Sequence, residues 1–354
     1  MKKRASVTKQ EMKSVDETGF RAFLAKRNLT EKAVIAHISI AKEFEEYLKK
    51  RDSDNGIDEA KPNDFDDFTE ILMKEERDTF DNMLALARYV LFTDNRTLTV
   101  HVLELIDGAE VMENLSTNLK QKAGEAKWRE IFGDIKLPSR VTLPKDKPKI
   151  TKKVMERLEA KLDKEKCREV LSSNLHFVPD EAFKASKKAF EESKNIDDFL
   201  HNRHIEYVEE LANHAKEKTL YYTQEVDDEV VEYVRKTPTC QVGVRDGDVI
   251  YVTKIPYMTK KYLHENNEKL KRYYACHCPW VREAIKSATE ISPEFCYCSA
   301  GFEKRLWDVI FDRPAKADVL QTVLKGDLIC KFAIHIPRGY AESIGSRKKK
   351  ITKH

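Results

Sequence analysis

The sequence predicts an α+β protein: an N-terminal all-helical bundle followed by a C-terminal antiparallel-sheet domain with packed helices. Three observations carry this. Apolar residues recur at helical spacing through residues 17–120. A stretch punctuated by Gly124, Gly133, Pro138, Pro144 and Pro148 amid Lys-rich polar sequence reads as a linker over 121–151. Alternation of period two, broken by Asp-Gly and Gly-Asp turns, begins only after Thr239.

Residues 1–16 are polar and are expected to be a disordered tail. Thr30 then reads as an N-cap for a helix bearing Val34, Ile35, Ile38, Ala41, Phe44, Tyr47 and Leu48. A polar loop over 51–61 contains Asn55-Gly56. Phe65, Phe68, Ile71 and Leu72 mark a second helix, and Phe80, Met83, Leu84, Ala87, Val90 and Leu91 a third. A further helix carries Val100, Leu103, Leu105 and Ile106 and stops at Asp107-Gly108. Several short helices in so little chain can hide their apolar stripes only against one another, which makes a bundle.

Beyond the linker, 152–340 is expected to be the second domain. Helical patterns run over 152–162, 183–200 and 206–218. Cys240, Val242 and Val244 lead through Arg245-Asp246-Gly247-Asp248 into Val249–Val252, a hairpin signature. Val319–Leu324, Lys325-Gly326-Asp327 and Ile329–Ile336 form a second. Between the hairpins, helices are expected over 260–273, 279–288 and 301–311. Residues 341–354 are a basic tail containing Arg347-Lys348-Lys349-Lys350 and Lys353.

The chain has 354 residues, 41% hydrophobic and 35% charged, with no apolar run long enough for a membrane span. Met1–Val7 is basic without an apolar core behind it, so no secretory leader is expected. Seven cysteines without an export signal indicate a reduced, cytoplasmic setting, where metal binding, catalysis or burial outrank disulfides. The net charge of +3 is uneven: about 19 Lys/Arg stand against about 24 Asp/Glu in the first 120 residues.

The chemistry concentrates in Cys276-His277-Cys278 and Cys296-Tyr297-Cys298, which hold four of the seven cysteines within 23 residues. Such thiols bind a soft metal, react as nucleophiles, or pack as small apolar groups. Each pair precedes an expected helix start, where free N–H groups and the helix dipole favour thiolate over thiol. Cys-x-Cys is tighter than the usual zinc spacing, so one Cys from each pair with His277 is an alternative ligand set. His176, His264 and His277 are candidate bases or ligands. Cys330 shares strand parity with Phe332 and Ile334; burial is the plainer reading, a pocket-lining thiol the other. Cys167 and Cys240 read as core residues.

Three resemblances follow from these residues. "FLAKRNLTEKAVIAHISIAKEFEEYLKKR" with "DFDDFTEILMKEERDTFDNMLALARYVLFT" resembles the helical core-binding domain of tyrosine recombinases. That resemblance implies DNA as a partner, which the acidity of this copy disfavours, since a DNA clamp needs a basic face. "EFCYCSAGFEKRLWDVIFDRPAKADVLQTVLKGDLICKFAIHIP" resembles the closing segment of vinyl-reductase-type small-molecule-binding domains and of 2-amino-thiazoline-4-carboxylate hydrolase-like proteins. "CHCPWVREAI … FCYCSAGFEK" resembles an uncharacterised prokaryotic family. The second resemblance implies an α+β fold around a small-ligand pocket, often with cysteine-ligated zinc.

The expected function is therefore a hydrolase-like enzyme acting on a small molecule. In its metal form Cys276, Cys278, Cys296 and Cys298 hold zinc, or iron, and His277 or His176 handles the proton. In its thiol form Cys278 or Cys298 attacks. The alternative is a non-catalytic ligand sensor with a structural metal, signalling through the helical domain to a protein or DNA. A small-molecule ligand and a homodimer are the expected partners, with no membrane.

Overall fold

The computed structural model describes residues 15–51, 56–135, 137, 142–287, 289–338 and 340. The expected tails, 1–14 and 341–354 with the Arg347–Lys350 run, lie outside the described residues, as does Pro138. The fold is mostly helical, with N-terminal helices and a C-terminal four-stranded antiparallel sheet packed with helices. The chain divides into two compact units, one running to Ala109 and including Leu143, the other starting at Glu110.

The N-terminal unit contains α1 (Glu17–Ala25), α2 (Glu31–Arg51), α3 (Pro62–Lys74), α4 (Phe80–Phe92) and α5 (Arg96–Ile106). The caps are those expected of the residue types: Thr30 Oγ1 accepts the Ala33 N–H at 3.3 Å, and Asn95 accepts that of Leu98 at 3.0 Å. Phe44 on α2 is fully buried between Phe65 and Phe68 of α3, with ring centroids 5.5 and 5.1 Å away.

The C-terminal unit opens with α6 (Val111–Phe132), α7 (Lys147–Lys161), α8 (Lys164–Leu171), α9 (Lys184–Glu192) and α10 (Ile196–Glu217). The expected linker, 121–151, is thus largely helical. Gly124, at φ 87° and ψ 164°, breaks α6 into two helical halves, and Leu115, Leu119, Ile131 and Phe132 bury on the same unit's core. Pro148 occupies the first turn of α7, where its missing N–H costs nothing. The patterns over 183–200 and 206–218 resolve into α9 and α10 because Asn195 caps a new helix.

A two-residue hairpin, β1 (Leu220–Tyr221) and β2 (Gln224–Glu225), precedes α11 (Asp228–Lys236). Then come β3 (Val244–Asp246), β4 (Val249–Thr253), α12 (Thr259–His264), α13 (Glu268–Ala275), α14 (Arg282–Lys286), α15 (Tyr297–Ile310), β5 (Lys316–Gln321) and β6 (Lys331–His335). The sheet order is β3-β4-β6-β5, all antiparallel. Both expected hairpins are present. Gly247 supplies the left-handed residue of the first, at φ 57°. Opposed Ile250 and Ile334, and Val252 and Phe332, place one buried face of the sheet against the helices. α15 crosses β5 and β6 and also meets α8 and α9. Among the described residues no helix is long and apolar enough to cross a membrane.

Candidate functional site

Three separate stretches bring thiols to one place beside the β4 end. Cys276 is the C-cap of α13, its N–H bonded to Arg272 and Tyr273 carbonyls, and Cys278 follows in the turn leading to α14. Cys296 ends a 3-10 turn, Pro293–Cys296, that runs into α15. Cys330 immediately precedes β6, and its carbonyl accepts the Lys254 N–H at 2.9 Å. Cys276, His277, Cys278, Cys296, Cys330 and Lys254 line a single cavity of about 10 Å³. That is room for one water or one ion, far below the several hundred Å³ of a metabolite pocket.

The local chemistry is set by burial. Cys296 Sγ lies 2.7 Å from the fully buried Thr322 hydroxyl, and Cys276 Sγ–H points to the Cys278 carbonyl at 3.9 Å. Burial pushes the thiols of Cys276, Cys296 and Cys330 above their ordinary range; neighbouring thiols push Cys276 and Cys296 further. Burial, followed by the Lys254 charge, holds His277 well below the usual imidazole range, so it is neutral. Its Nε2–H donates to the Ile255 carbonyl, which leaves Nδ1 as its free lone pair. Burial works against the Lys254 ammonium, yet the Glu303 carboxylate 3.4 Å away keeps it protonated.

Cys298, expected as a fourth metal ligand, is not among the residues lining this cavity. It lies in the first turn of α15, which starts four residues earlier than its apolar pattern suggests. Its Sγ is 3.6 Å from His176 Nε2, and His176 Nδ1 is 3.1 Å from Glu110 Oε1. The structure thus joins two of the expected catalytic residues and adds Glu110, which carried no sequence signal. The expected low-pKa thiol at a helix mouth is not found for Cys298. Its thiol is pushed well above its ordinary value, by burial first and then by the neighbouring Cys278 thiol.

The expected thiol and histidine candidates therefore fall into two groups: Cys276, Cys278, Cys296 and His277 on the cavity, Cys298 and His176 in a separate contact. Cys330 replaces Cys298 as the fourth cavity thiol. Its signal was present in the Gly-Asp turn leading to Cys-x-Phe. His264 instead pairs with exposed Glu229 at 2.7 Å. Cys167 and Cys240 are buried in the core, both with thiols pushed up to about 12 by burial.

Soft thiols around an ion-sized space fit a soft metal in donor chemistry and volume. Among the described residues, however, no group of three or more His, Cys, Asp or Glu side chains is placed so that it could hold a metal ion. Comparisons with protein-family models, curated proteins and solved structures give no match for this chain.

Proposed function

We propose that the C-terminal unit is a small-molecule-binding domain of hydrolase type whose thiol cavity holds one soft metal ion, zinc or iron. One observation carries the ion: Cys276, Cys278, Cys296 and Cys330 converge from three chain segments on a space of about 10 Å³. Four thiolates would carry two negative charges more than a divalent ion neutralises, and the buried Lys254 ammonium lining the same space supports that excess. A bound cation also reverses the burial effect that now favours the thiols, so loading would release protons.

The volume leaves no place for a substrate beside the ion, which supports a structural ion tying the α13 end, the start of α15 and the strand before β6 together. Seven free cysteines support a reducing, cytoplasmic setting. The hydrolase-like class rests on the resemblance of residues 239–337 alone. The second reading is a ligand sensor with a structural metal, in which a homodimer and the helical unit carry the signal.

Metal analysis of the full chain purified without added metal tests this reading. About one zinc or iron per chain is expected, lost in Cys330→Ser and retained in Cys298→Ser. Absence of metal from the wild type, together with no uptake of added Zn²⁺, contradicts it. Retention in Cys330→Ser with loss in Cys298→Ser would return the ligand set to the two Cys-x-Cys pairs.

A further inference from the structure

Cys298 is not among the residues lining the thiol cavity, and its sulfur contacts His176. The Glu110 carboxylate can only accept, so His176 Nδ1 carries the hydrogen at 3.1 Å. His176 Nε2 is then the bare lone pair, and it faces the Cys298 sulfur at 3.6 Å. This is the tautomer a general base requires, with its orienting carboxylate in place.

We propose that Cys298, His176 and Glu110 form a hydrolytic site for a small ester or thioester, with Cys298 as nucleophile, His176 as base and Glu110 as the residue that positions the imidazole. The three come from the N-terminus of α6, the loop after α8 and the first turn of α15.

That loop is held rather than free. Asn114 Nδ2 donates to the Leu175 carbonyl at 2.7 Å, and Asn174 exchanges two bonds with Val178, at 2.9 and 3.0 Å. Arg305, on α15, donates to the Val178 carbonyl at 3.3 Å. Phe177, directly after His176, sits in the left-handed region at φ 47°, a conformation a bulky side chain adopts only under constraint. Phe177 is 76% exposed and Phe302 40% exposed. Phe302 meets the His176 ring edge-on at 5.2 Å, so apolar surface borders the relay on its open side.

A second pair of buried charges stands close by. Glu303 is almost fully buried, and its Oε1 meets the Lys254 ammonium at 3.4 Å. Cys298 is 2% exposed, whereas a quarter of the His176 side chain faces solvent, so His176 is the member of the relay nearer to solvent.

In the first step the Cys298 S–H proton passes to His176 Nε2 and sulfur bonds to the acyl carbon. The carbon–oxygen or carbon–sulfur bond to the leaving group breaks, and the leaving group takes the proton from His176. In the second step water, losing a proton to His176, cleaves the thioester; the proton returns to the Cys298 sulfur and the carboxylic acid leaves. Nothing is oxidised or reduced.

The test uses the full chain as purified, with 4-nitrophenyl acetate as the probe. We expect a burst of 4-nitrophenolate and one acetyl group mapped by mass spectrometry to Cys298, absent in Cys298→Ser. His176→Ala should slow acetylation on the order of 10²–10⁴-fold, with added imidazole restoring part of the rate. Glu110→Gln should lower kcat with little change in KM, and Glu110→Asp should recover part of it. Acetyl on any other residue, or an unaltered rate in His176→Ala, overturns the proposal. Should Cys298→Ser fail to fold, the imidazole rescue of His176→Ala decides alone. Unchanged metal content in His176→Ala keeps a failure of this site distinct from a failure of the ion reading.

Discussion

Gly301 of α15 lies directly on Ser172: a Cβ on Gly301 would stand 2.6 Å from the Ser172 carbonyl oxygen. Gly301 is three residues beyond Cys298, on the same helix face, and Ser172 caps α8 just before the loop that carries His176. The missing side chain is what lets the Cys298 turn approach that loop. Because the clashing atom is backbone, it cannot yield by a rotamer change. Gly301→Ala should cost about 1–3 kcal/mol, as overpacking does, and should slow acetylation of Cys298. Gly56→Ala is the control. Nothing lies within 4 Å of a Cβ there, and its φ of −99° suits any residue. Its effect should stay within about 0.5 kcal/mol. Denaturant melts of both variants check this.

The Lys254–Glu303 pair is buried on both sides, with side chains 12% and 5% exposed. Breaking such a pair strands a charge, whereas replacing both members by apolar groups does not. Lys254→Met alone should destabilise by about 3–5 kcal/mol, and Lys254→Met/Glu303→Leu by much less. A double-mutant cycle on unfolding free energies measures the difference; additive losses would contradict the coupling.

Arg168 grips Glu294 with two bonds, at 2.6 and 3.0 Å, just ahead of Cys296. The Arg168 hydrogen bonds hold the Glu294 carboxyl below its ordinary value of 4.5. Its folded pKa is depressed, so its stabilisation is present above about pH 4.5 and lost as pH falls below it. Glu294→Gln should cost about 1–3 kcal/mol at neutral pH. The gap to wild type should close on acidification, read from urea midpoints across pH.

In the N-terminal unit, Phe44→Ala removes a fully buried ring from between Phe65 and Phe68. Its cost should be about 3–5 kcal/mol, seen as a lower Tm for the helical transition.

Both hairpins were legible because Gly247 and Gly326 stand in left-handed turns between apolar strands, a requirement written in residue type. The helix after Thr30 was legible for the same kind of reason: Thr30 announces its own cap, whereas the Asn95 cap came only with the structure. Within 121–151, residues up to Phe132 and from Lys147 are helical on either side of a non-helical stretch; burial of Ile131 and Phe132 holds the second half of α6 beyond Gly124, which periodicity over a short window does not register. At the site, three of the four paired cysteines line the cavity, Cys298 does not, and Cys330 does. Which of Cys298 and Cys330 lines the cavity depends on the rotation of α15 against β6, a tertiary quantity. Glu110 was invisible, since it meets His176 across a separation in sequence of 66 residues.

The central claim is that Cys276, Cys278, Cys296 and Cys330 share one ion. Cobalt(II) titration of metal-stripped full-length protein tests it most directly, because thiolate-to-cobalt charge-transfer absorption reports sulfur ligands and the visible bands report geometry. The account predicts saturation at one Co²⁺ per chain with intense tetrahedral thiolate bands, abolished or shifted by Cys330→Ser and unchanged by Cys298→Ser. A titration without charge-transfer bands, or bands that survive in Cys330→Ser, would contradict it.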